Sequence, residues 1–133
     1  MTSPVELAIA GNSDVVIVRQ QVRTSAQQVG LSLVDQTKLV TAASELARNA
    51  LTYAGGGRVL IEVVSNGLRD GLRLTFTDEG PGISDLDQAL TDGWSTGGGL
   101  GLGLSGSRRL VDEFDLHSKV GEGTRVTVVK WAR

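Results

Sequence analysis

Residues 72–77 alternate strictly between apolar and polar side chains. Leu72, Leu74 and Phe76 fall on one face of an extended strand, and the polar residues between them fall on the other. Such a strand buries one face and leaves the other in contact with water, whereas strands of a doubly wound sheet are apolar almost throughout. The pattern therefore predicts an antiparallel or mixed sheet with helices on one face, and it excludes a doubly wound fold.

The other elements predicted from periodicity and turn signals complete a two-layer α/β sandwich. Apolar residues at helical spacing predict one helix from Ser13, its expected N-cap, to Gly30, and a second helix from about residue 32 to 53. Further strands are predicted at 4–10, 58–66, 115–119 and 124–131, and short helices at 86–90 and 107–114. With 133 residues and neither linker nor repeat, the chain is expected to be a single domain, residues 1–133.

Composition limits the partners and the compartment. A formal charge of −2 and a pI near 5.3 argue against binding to nucleic acid or to an anionic membrane. No stretch approaches the ~20 apolar residues of a membrane span, and the first residues do not form a secretion signal. The chain has no Cys and a single His, so thiolate chemistry and a zinc cage are excluded. We expect a cytoplasmic protein.

A glycine-rich run at 95–106 precedes the predicted helix 107–114. Glycine permits positive φ and lets a ligand approach the backbone, and the first turn of a helix presents unpaired N–H groups. The run therefore predicts a phosphate cradle, with a mobile loop that binds nothing as the alternative. The connection 78–99 before it has the length of a lid or binding loop. The predicted cradle residues are Gly97, Gly98, Gly99, Leu100, Gly101, Leu102, Gly103 and Leu104.

Glu45 and Asn49 lie four residues apart in the second predicted helix, so they share a face at the border of its apolar stripe. A carboxylate and a carboxamide in such a position could orient a nucleophile and hold a hard cation through oxygen. The alternative is an ordinary solvated helix edge.

Asp78 ends a half-buried strand and is followed by Gly80 and Gly82. Its carboxylate is placed to accept a hydrogen bond from a donor such as an adenine amino group. A plain turn would explain the two glycines but not the acidic residue at the strand end. Residues 121–124, by contrast, are explained by a simple hairpin turn.

In their order along the chain, these motifs resemble those of the Bergerat ATP-binding fold shared by DNA gyrase, the Hsp90 chaperones, histidine kinases and MutL (GHKL). Glu-x-x-x-Asn is followed by Asp-x-Gly-x-Gly, then by the glycine-rich run, and finally by Gly-x-Gly-Thr, within residues 45–124. The resemblance implies an α/β (α+β) sandwich with a mixed, mostly antiparallel sheet and helices on one face.

Within that superfamily the chain resembles bacterial serine/threonine kinases that act as anti-sigma factors or partner switches, and in particular the RsbT-type switch kinases of the stressosome. The resemblance implies Mg-ATP as cofactor, with Glu45 acting on the attacking hydroxyl, Asn49 reaching Mg²⁺ and Asp78 meeting the adenine amino group. It further implies Gly80, Gly82, Ile83 and Thr124 as parts of the nucleotide site. Segments 44–49, 53–55, 78–83, 93–96, 99–104, 112–114 and 130–131 carry this match.

The same resemblance implies the partners. The substrate would be a serine or threonine on a STAS-domain antagonist, similar to RsbS or RsbR, and the second partner an activated PP2C-type phosphatase. We expect docking on the first helix, where Val16, Arg19 and Arg23 form a flank beside the core face; a merely solvated flank is the alternative. No Lys or Arg occurs at 83–99, which favours the RsbT type over the sigma-binding type. An anti-sigma factor and a non-catalytic, ATP-gated binding module remain alternatives, and no oligomeric state is predicted.

Overall fold

The computed structural model describes residues 3–80 and 103–133. Five strands and three helices are found in these two ranges. In chain order they are β1 (Val5–Ile9), α1 (Asn12–Gln28), α2 (Leu33–Ala54), β2 (Gly57–Ser65), β3 (Asp70–Asp78), α3 (Gly103–Arg109), β4 (Glu113–Lys119) and β5 (Gly123–Trp131). The short helix predicted at 86–90 lies outside the described residues.

The strands form one sheet in the order β1-β2-β3-β5-β4, and each of these neighbouring pairs is antiparallel. Leu72, Leu74 and Phe76 are buried, while the polar residues between them are half-buried. The alternation thus has the predicted consequence, and the sheet, expected to be antiparallel or mixed and mostly antiparallel, is antiparallel in its described part.

The core lies between the sheet and the two long helices. The side chains that α1 contributes are those at the predicted spacing, including Val18, Val22 and Ala26, all with no measurable exposure. From α2, Leu39 and Ala43 are equally buried. Burial of each Val or Leu side chain contributes about 1.5–3 kcal/mol relative to exposure, so this layer holds α1 and α2 against one face of the sheet.

The ends of the two long helices differ in how well local signals predict them. Ser32 caps α2 by accepting a hydrogen bond from the Asp35 N–H at 3.1 Å, and Gly55 at φ +75° ends it, which agrees with the predicted bounds of about 32 to 53. The predicted Ser13 cap of α1 is wrong, since Gly11 is the N-cap. Asp14 accepts hydrogen bonds from the backbone N–H groups of residues 10 and 11, and this carboxylate stabilises the start of the helix in place of Ser13.

The third helix is shorter and earlier than predicted. It spans Gly103–Arg109, and the expected helix at 107–114 is wrong because residues 113–119 form β4. Phe114 and Leu116 are two apart, and both pack against the core from the strand. The chain has already joined the sheet at Asp112, whose N–H donates to the Val129 carbonyl at 2.9 Å. A period of two therefore overrides the short helical pattern here.

Among the described helices, none combines the length and the apolar character that crossing a bilayer demands.

Candidate active site

Glu45 and Asn49 lie half-buried along one edge of α2, beside the buried Ala42 and Leu46. Oε1 of Glu45 is 3.3 Å from Nη1 of Arg48, and the two side chains are 26% and 51% exposed. A pair so accessible to water contributes little to stability. The Glu45 carboxylate is therefore positioned by the helix but remains accessible.

Three polar residues stand side by side at one end of the sheet. Asp78 in β3 pairs in register with Thr124 in β5, which in turn pairs with Ser118 in β4. Each lies two residues from an apolar residue of its strand that packs into the core, so all three lie on the helix side of the sheet. We call this row, Asp78, Thr124 and Ser118, the polar shelf.

Hydrogen bonds fix the orientation of the polar shelf. Oδ1 of Asp78 accepts the Gly80 N–H at 3.0 Å, whereas Oδ2 accepts no hydrogen bond within the described residues. At the other end of the row, Oγ of Ser118 lies 2.9 Å from the Gly123 carbonyl oxygen and 2.8 Å from Oγ1 of Thr124. The shelf therefore offers a carboxylate oxygen that remains available to a ligand.

Glycines at two positions allow the backbone to come close around Asp78. A Cβ on Gly80 would lie 2.4 Å from Cβ of Ala54, so the chain after Asp78 runs directly against the last turn of α2. A Cβ on Gly123, whose φ is +88°, would lie 2.2 Å from the Asp78 carbonyl oxygen. The glycines of two predicted motifs thus join the polar shelf to the end of the helix that carries Glu45 and Asn49.

A cavity of about 600 Å³ opens beside Asp78, within the range usual for ligand pockets. Among the predicted nucleotide residues, Asp78 lines this cavity, whereas Glu45, Asn49 and Thr124 do not. It is lined by Glu6, Ala8, Ala54, Gly55, Gly56, Gly57, Arg58, Asp78 and Glu79. Apart from this cavity, strand pairing brings Asp78 and Thr124 together on the shelf, and the helix brings Glu45 and Asn49 together on α2.

Several predicted nucleotide residues lie outside the described part of the chain. They are Gly82, Ile83, Gly97, Gly98, Gly99, Leu100, Gly101 and Leu102. Gly103 is the first residue of α3, and Leu104 packs partly buried against the core. Since α3 contacts α2, the helix that follows the glycine-rich run lies next to the helix that bears Glu45 and Asn49.

The predicted docking flank on α1 is only partly a free surface. Val16 is 49% exposed and Arg19 is exposed. Arg23 is half-buried, and its Nη1 lies 3.4 Å from Oε1 of Gln36 in α2. Arg23 therefore links the two helices as well as facing this flank.

Ser118 is a residue of this region that the sequence motifs do not single out. The signal that would have found it is the hairpin itself, because counting back across the turn from Thr124 leads to Ser118. That count needs the turn length, which the structure gives as residues 120–122 between β4 and β5.

Comparison with known proteins defines the class. Residues 34–132 match the family of histidine kinase-, DNA gyrase B- and HSP90-like ATPases, and the chain belongs to this family of ATP-using proteins. It is 48% identical over 120 residues, 90% of each chain, to the serine/threonine-protein kinase RsbT of Bacillus subtilis (strain 168). The predicted resemblance to RsbT-type switch kinases, and with it the class of serine/threonine protein kinase, is confirmed.

One further relative and two solved structures are also similar to this chain. The chain is 30% identical over 119 residues to an anti-sigma F factor of Anoxybacillus flavithermus, covering 84% of this chain and 80% of that one. The RsbU and RsbW domains of Rv1364c from Mycobacterium tuberculosis match with a TM-score of 0.69 at 22% identity, over 99% of this chain and 33% of that chain. The mycobacterial sensor histidine kinase MprB matches with a TM-score of 0.57 at 21% identity, over 100% and 99%. These two structures confirm the predicted fold.

Proposed function

We propose that this chain is the switch kinase of a bacterial partner-switching module in stress signalling, which transfers the γ-phosphoryl group of ATP to a serine or threonine of a STAS-domain antagonist. One observation carries the proposal: an accessible carboxylate, Glu45, lies one turn from Asn49 on α2, and the last turn of α2 contacts the chain beside Asp78. The similarity to RsbT supports the same reading.

The proposed nucleotide site extends from the polar shelf along α2. Oδ2 of Asp78 is available to accept from an adenine amino group, and Gly80 keeps side-chain atoms out of the space beside Ala54. At 1.5 Å per residue, Asn49 and Glu45 lie about 7.5 Å and 13.5 Å along the helix from Ala54. A nucleotide with its base at Asp78 would thus extend its phosphates toward these two side chains.

The described residues suit a magnesium ion held mainly by phosphates. No group of three or more acidic, His or Cys side chains that could form a cage occurs among residues 3–80 and 103–133. Mg²⁺ is commonly held by one or two protein oxygens together with substrate phosphates, and the Asn49 amide oxygen would be such a ligand. When bound, Mg²⁺ would neutralise negative charge on the phosphates.

Glu45 is proposed to act on the attacking hydroxyl. As the hydroxyl oxygen of the substrate bonds to the γ-phosphorus, the bond from that phosphorus to the leaving ADP oxygen breaks, and the hydroxyl proton passes to the Glu45 carboxylate. A single positioned base of this kind contributes about 10²–10⁴-fold to the rate. The accessible position of Glu45 at the edge of α2 suits a substrate that is itself a protein.

The proposed partners follow from the same reading. The substrate protein would be similar to RsbS or RsbR and would dock on α1 at Val16, Arg19 and Arg23. Once released from its antagonist, the kinase would bind and activate a PP2C-type phosphatase. This exchange would take place in the cytoplasm, where ATP is supplied.

The experiment measures phosphate transfer from labelled ATP to a purified STAS-domain antagonist. Glu45→Ala is expected to bind ATP with unchanged affinity and to lower the transfer rate by about 10²–10⁴-fold. Arg48→Ala is the matched control, since it removes the partner of Glu45 but leaves the carboxylate in place. Normal transfer by Glu45→Ala would refute its role, and failure of the wild-type chain to bind ATP would refute the proposed function.

A second candidate function is sequestration of a sigma factor. The similarity to the Anoxybacillus flavithermus anti-sigma F factor favours it, since 84% of this chain is covered. Co-purification with candidate sigma factors, carried out beside the transfer assay, separates the two. A chain that retains a sigma factor and transfers no phosphate would be a binding module rather than a kinase.

A further inference from the structure

We infer that the substrate protein docks along the exposed N-terminal half of α2, on a ridge that extends from Glu45 to Leu33. This inference rests on the proposed function, because it takes Glu45 as the general base and a protein hydroxyl as the acceptor. It goes further by naming the surface that receives the substrate and the chemistry of its partner: an apolar patch beside the serine or threonine that accepts the phosphoryl group.

Residues four apart in a helix form a continuous ridge on its surface, and one such ridge of α2 carries the proposed catalytic groups. We call it the α2 ridge; its members are Asn49, Glu45, Thr41, Thr37 and Leu33. The first two are half-buried and the other three are exposed. At 1.5 Å per residue, the exposed members lie about 6, 12 and 18 Å from Glu45 along the helix axis. The ridge thus leads from the proposed base to the start of α2.

The direction of attack places the substrate on this half of the helix. In phosphoryl transfer the attacking and leaving oxygens lie roughly in line through the phosphorus. With adenine at Asp78, beside Ala54, and the phosphates directed toward Glu45, the leaving ADP lies toward the C-terminal end of α2. The attacking hydroxyl must therefore come from the opposite side, where the α2 ridge continues to Leu33.

The exposed part of the α2 ridge carries no charged side chain, whereas the solvated face of a helix is usually lined by charged and polar groups. Leu33 is 72% exposed, and Val34 beside it is 63% exposed. Thr37 and Thr41 each donate the hydroxyl hydrogen to the carbonyl oxygen four residues earlier, at 3.0 and 2.9 Å. These hydrogens are therefore engaged by the helix itself, and the methyl groups remain for contact with a partner.

The length of the α2 ridge suits a protein rather than a small molecule. A standard interface covers about 800 Å² of each partner, equal to a disc of about 16 Å radius. A disc of this size centred at Thr41 reaches both Glu45 and Leu33. A substrate protein that brings a hydroxyl to Glu45 would thus also cover the apolar start of α2.

Two neighbours of the α2 ridge indicate what surrounds the apolar patch of the partner. Lys38 is exposed beside the ridge and forms no ion pair within the described residues, which favours an acidic group at the edge of the patch. Arg23, in the proposed docking flank of α1, contacts Gln36, the residue next to Thr37. The ridge therefore adjoins that flank and extends it toward Glu45.

The test measures KM and kcat for phosphate transfer from ATP to the purified STAS-domain antagonist, and the dissociation constant of ATP by calorimetry. Leu33→Gln should raise KM for the antagonist about 10-fold, with kcat and ATP affinity unchanged, because it removes apolar contact but touches no reacting group. Leu68→Gln, the same change at a leucine 92% exposed in the β2–β3 turn, is the matched control. Both side chains face water, so neither change should lower the melting temperature.

Threonine variants separate the methyl group from the hydroxyl. The double variant Thr37→Ser, Thr41→Ser removes both methyl groups and should raise KM about 3–10-fold. The double variant Thr37→Val, Thr41→Val keeps them and should not raise KM. Thr52→Ser removes a methyl group from an exposed threonine on the C-terminal side of Glu45 and should change nothing.

The outcomes distinguish the inference from the proposed function. An unchanged KM in Leu33→Gln and in the double serine variant, while the wild-type chain transfers phosphate, would overturn docking on the α2 ridge and leave the proposed function intact. A rise in KM with Thr52→Ser as large as with the double serine variant would place the substrate on the other side of Glu45 and also overturn the inference. Failure of the wild-type chain to transfer phosphate to the antagonist would instead overturn the proposed function.

Discussion

Asp78 and Thr124 stand opposite each other across the β3–β5 pair, with both residues on the helix side of the sheet. They come from two motifs far apart in the chain. Gly123 allows this approach, because a side chain there would collide with the Asp78 carbonyl oxygen. The end of the sheet is therefore a polar shelf whose members are held by backbone pairing rather than by flexible loops.

The first prediction concerns the acceptor on this shelf. Asp78→Asn should weaken ATP binding about 10–100-fold, since a hydrogen bond to a charged acceptor contributes roughly 1.5–3 kcal/mol and an amide can turn a donor toward the base. Calorimetric titration with ATP measures the change. Asp70→Asn, at the other end of β3, is the matched control and should bind ATP as wild type does. Equal affinities for the two variants would remove Asp78 from the nucleotide site.

The second prediction concerns the close contact between Gly80 and Ala54. Gly80→Ala would place a Cβ 2.4 Å from the Ala54 Cβ, so the chain after Asp78 must move away from α2. We expect a loss of about 1–3 kcal/mol in unfolding free energy, typical of overpacking, together with weaker ATP binding. Chemical denaturation and ATP titration measure both effects.

Two further variants check this mechanism. Ala54→Gly removes the nearer of the two colliding atoms but leaves the Cα of residue 54 at 2.8 Å from the new Cβ, so the double variant Gly80→Ala, Ala54→Gly should recover ATP affinity in part. Gly11→Ala adds a Cβ with no atom within 4 Å and should leave ATP binding unchanged. If the double variant binds ATP no better than Gly80→Ala, the collision with residue 54 is not the cause of the weaker binding.

The third prediction concerns an ion cluster around the buried Lys130, at the opposite end of the sheet from the polar shelf. Nζ of Lys130, a residue 5% exposed, lies 3.5 Å from Asp35 and 3.4 Å from Asp112. Burial opposes ionisation of Asp112, but the Trp131 backbone N–H and the charges of Lys130 and Arg133 outweigh it and lower the pKa of Asp112 below its ordinary value of 3.8. The cluster ties the start of α2 to the end of β5.

The sign of the pH dependence follows from this shift. Because the folded pKa is the lower one, the stabilisation from Asp112 is present above pH 3.8 and is lost as the pH falls toward the folded pKa. Asp112→Asn should lower the free energy of unfolding by about 1–3 kcal/mol at neutral pH and should flatten this part of the acid dependence. Denaturation at a series of pH values measures this dependence. If the unfolding free energy of Asp112→Asn falls as steeply on acidification as that of wild type, other carboxylates cause the fall.

The fourth prediction concerns partner docking on α1. Arg19→Glu and Arg23→Glu should each weaken binding and phosphorylation of the STAS-domain antagonist by roughly 3–10-fold, with ATP affinity unchanged. The melting temperature of Arg23→Glu is measured as well, to detect a loss of stability, because Arg23 contacts Gln36 in α2. Arg69→Glu, the same charge reversal in the exposed β2–β3 turn, is the control. Tight antagonist binding by the Arg19→Glu, Arg23→Glu double variant would move the docking site elsewhere.

The sequence by itself determined much of the fold, because periodicity and helix-stop signals act locally. The alternation at 72–77 predicted the one-sided sheet, and helical spacing predicted the bounds of α2 to within about one residue. The same local reasoning placed Glu45 and Asn49 on a shared edge, since a helix of 3.6 residues per turn permits little else. It failed at residues 113 and 114, where sheet pairing overrode a short helical pattern, whereas the strand predicted from residue 115 onward is present.

Only the tertiary structure decided how the motifs meet. Which residue stands opposite Asp78 depends on the register between β3 and β5, and register is set by pairing between strands far apart in sequence together with burial of one whole face. The contact of Gly80 with Ala54 and the hydrogen bond between Thr124 and Ser118 depend on the same packing. A motif specifies the chemical groups, but their hydrogen-bond partners are decided by the neighbours that the folded sheet brings within reach.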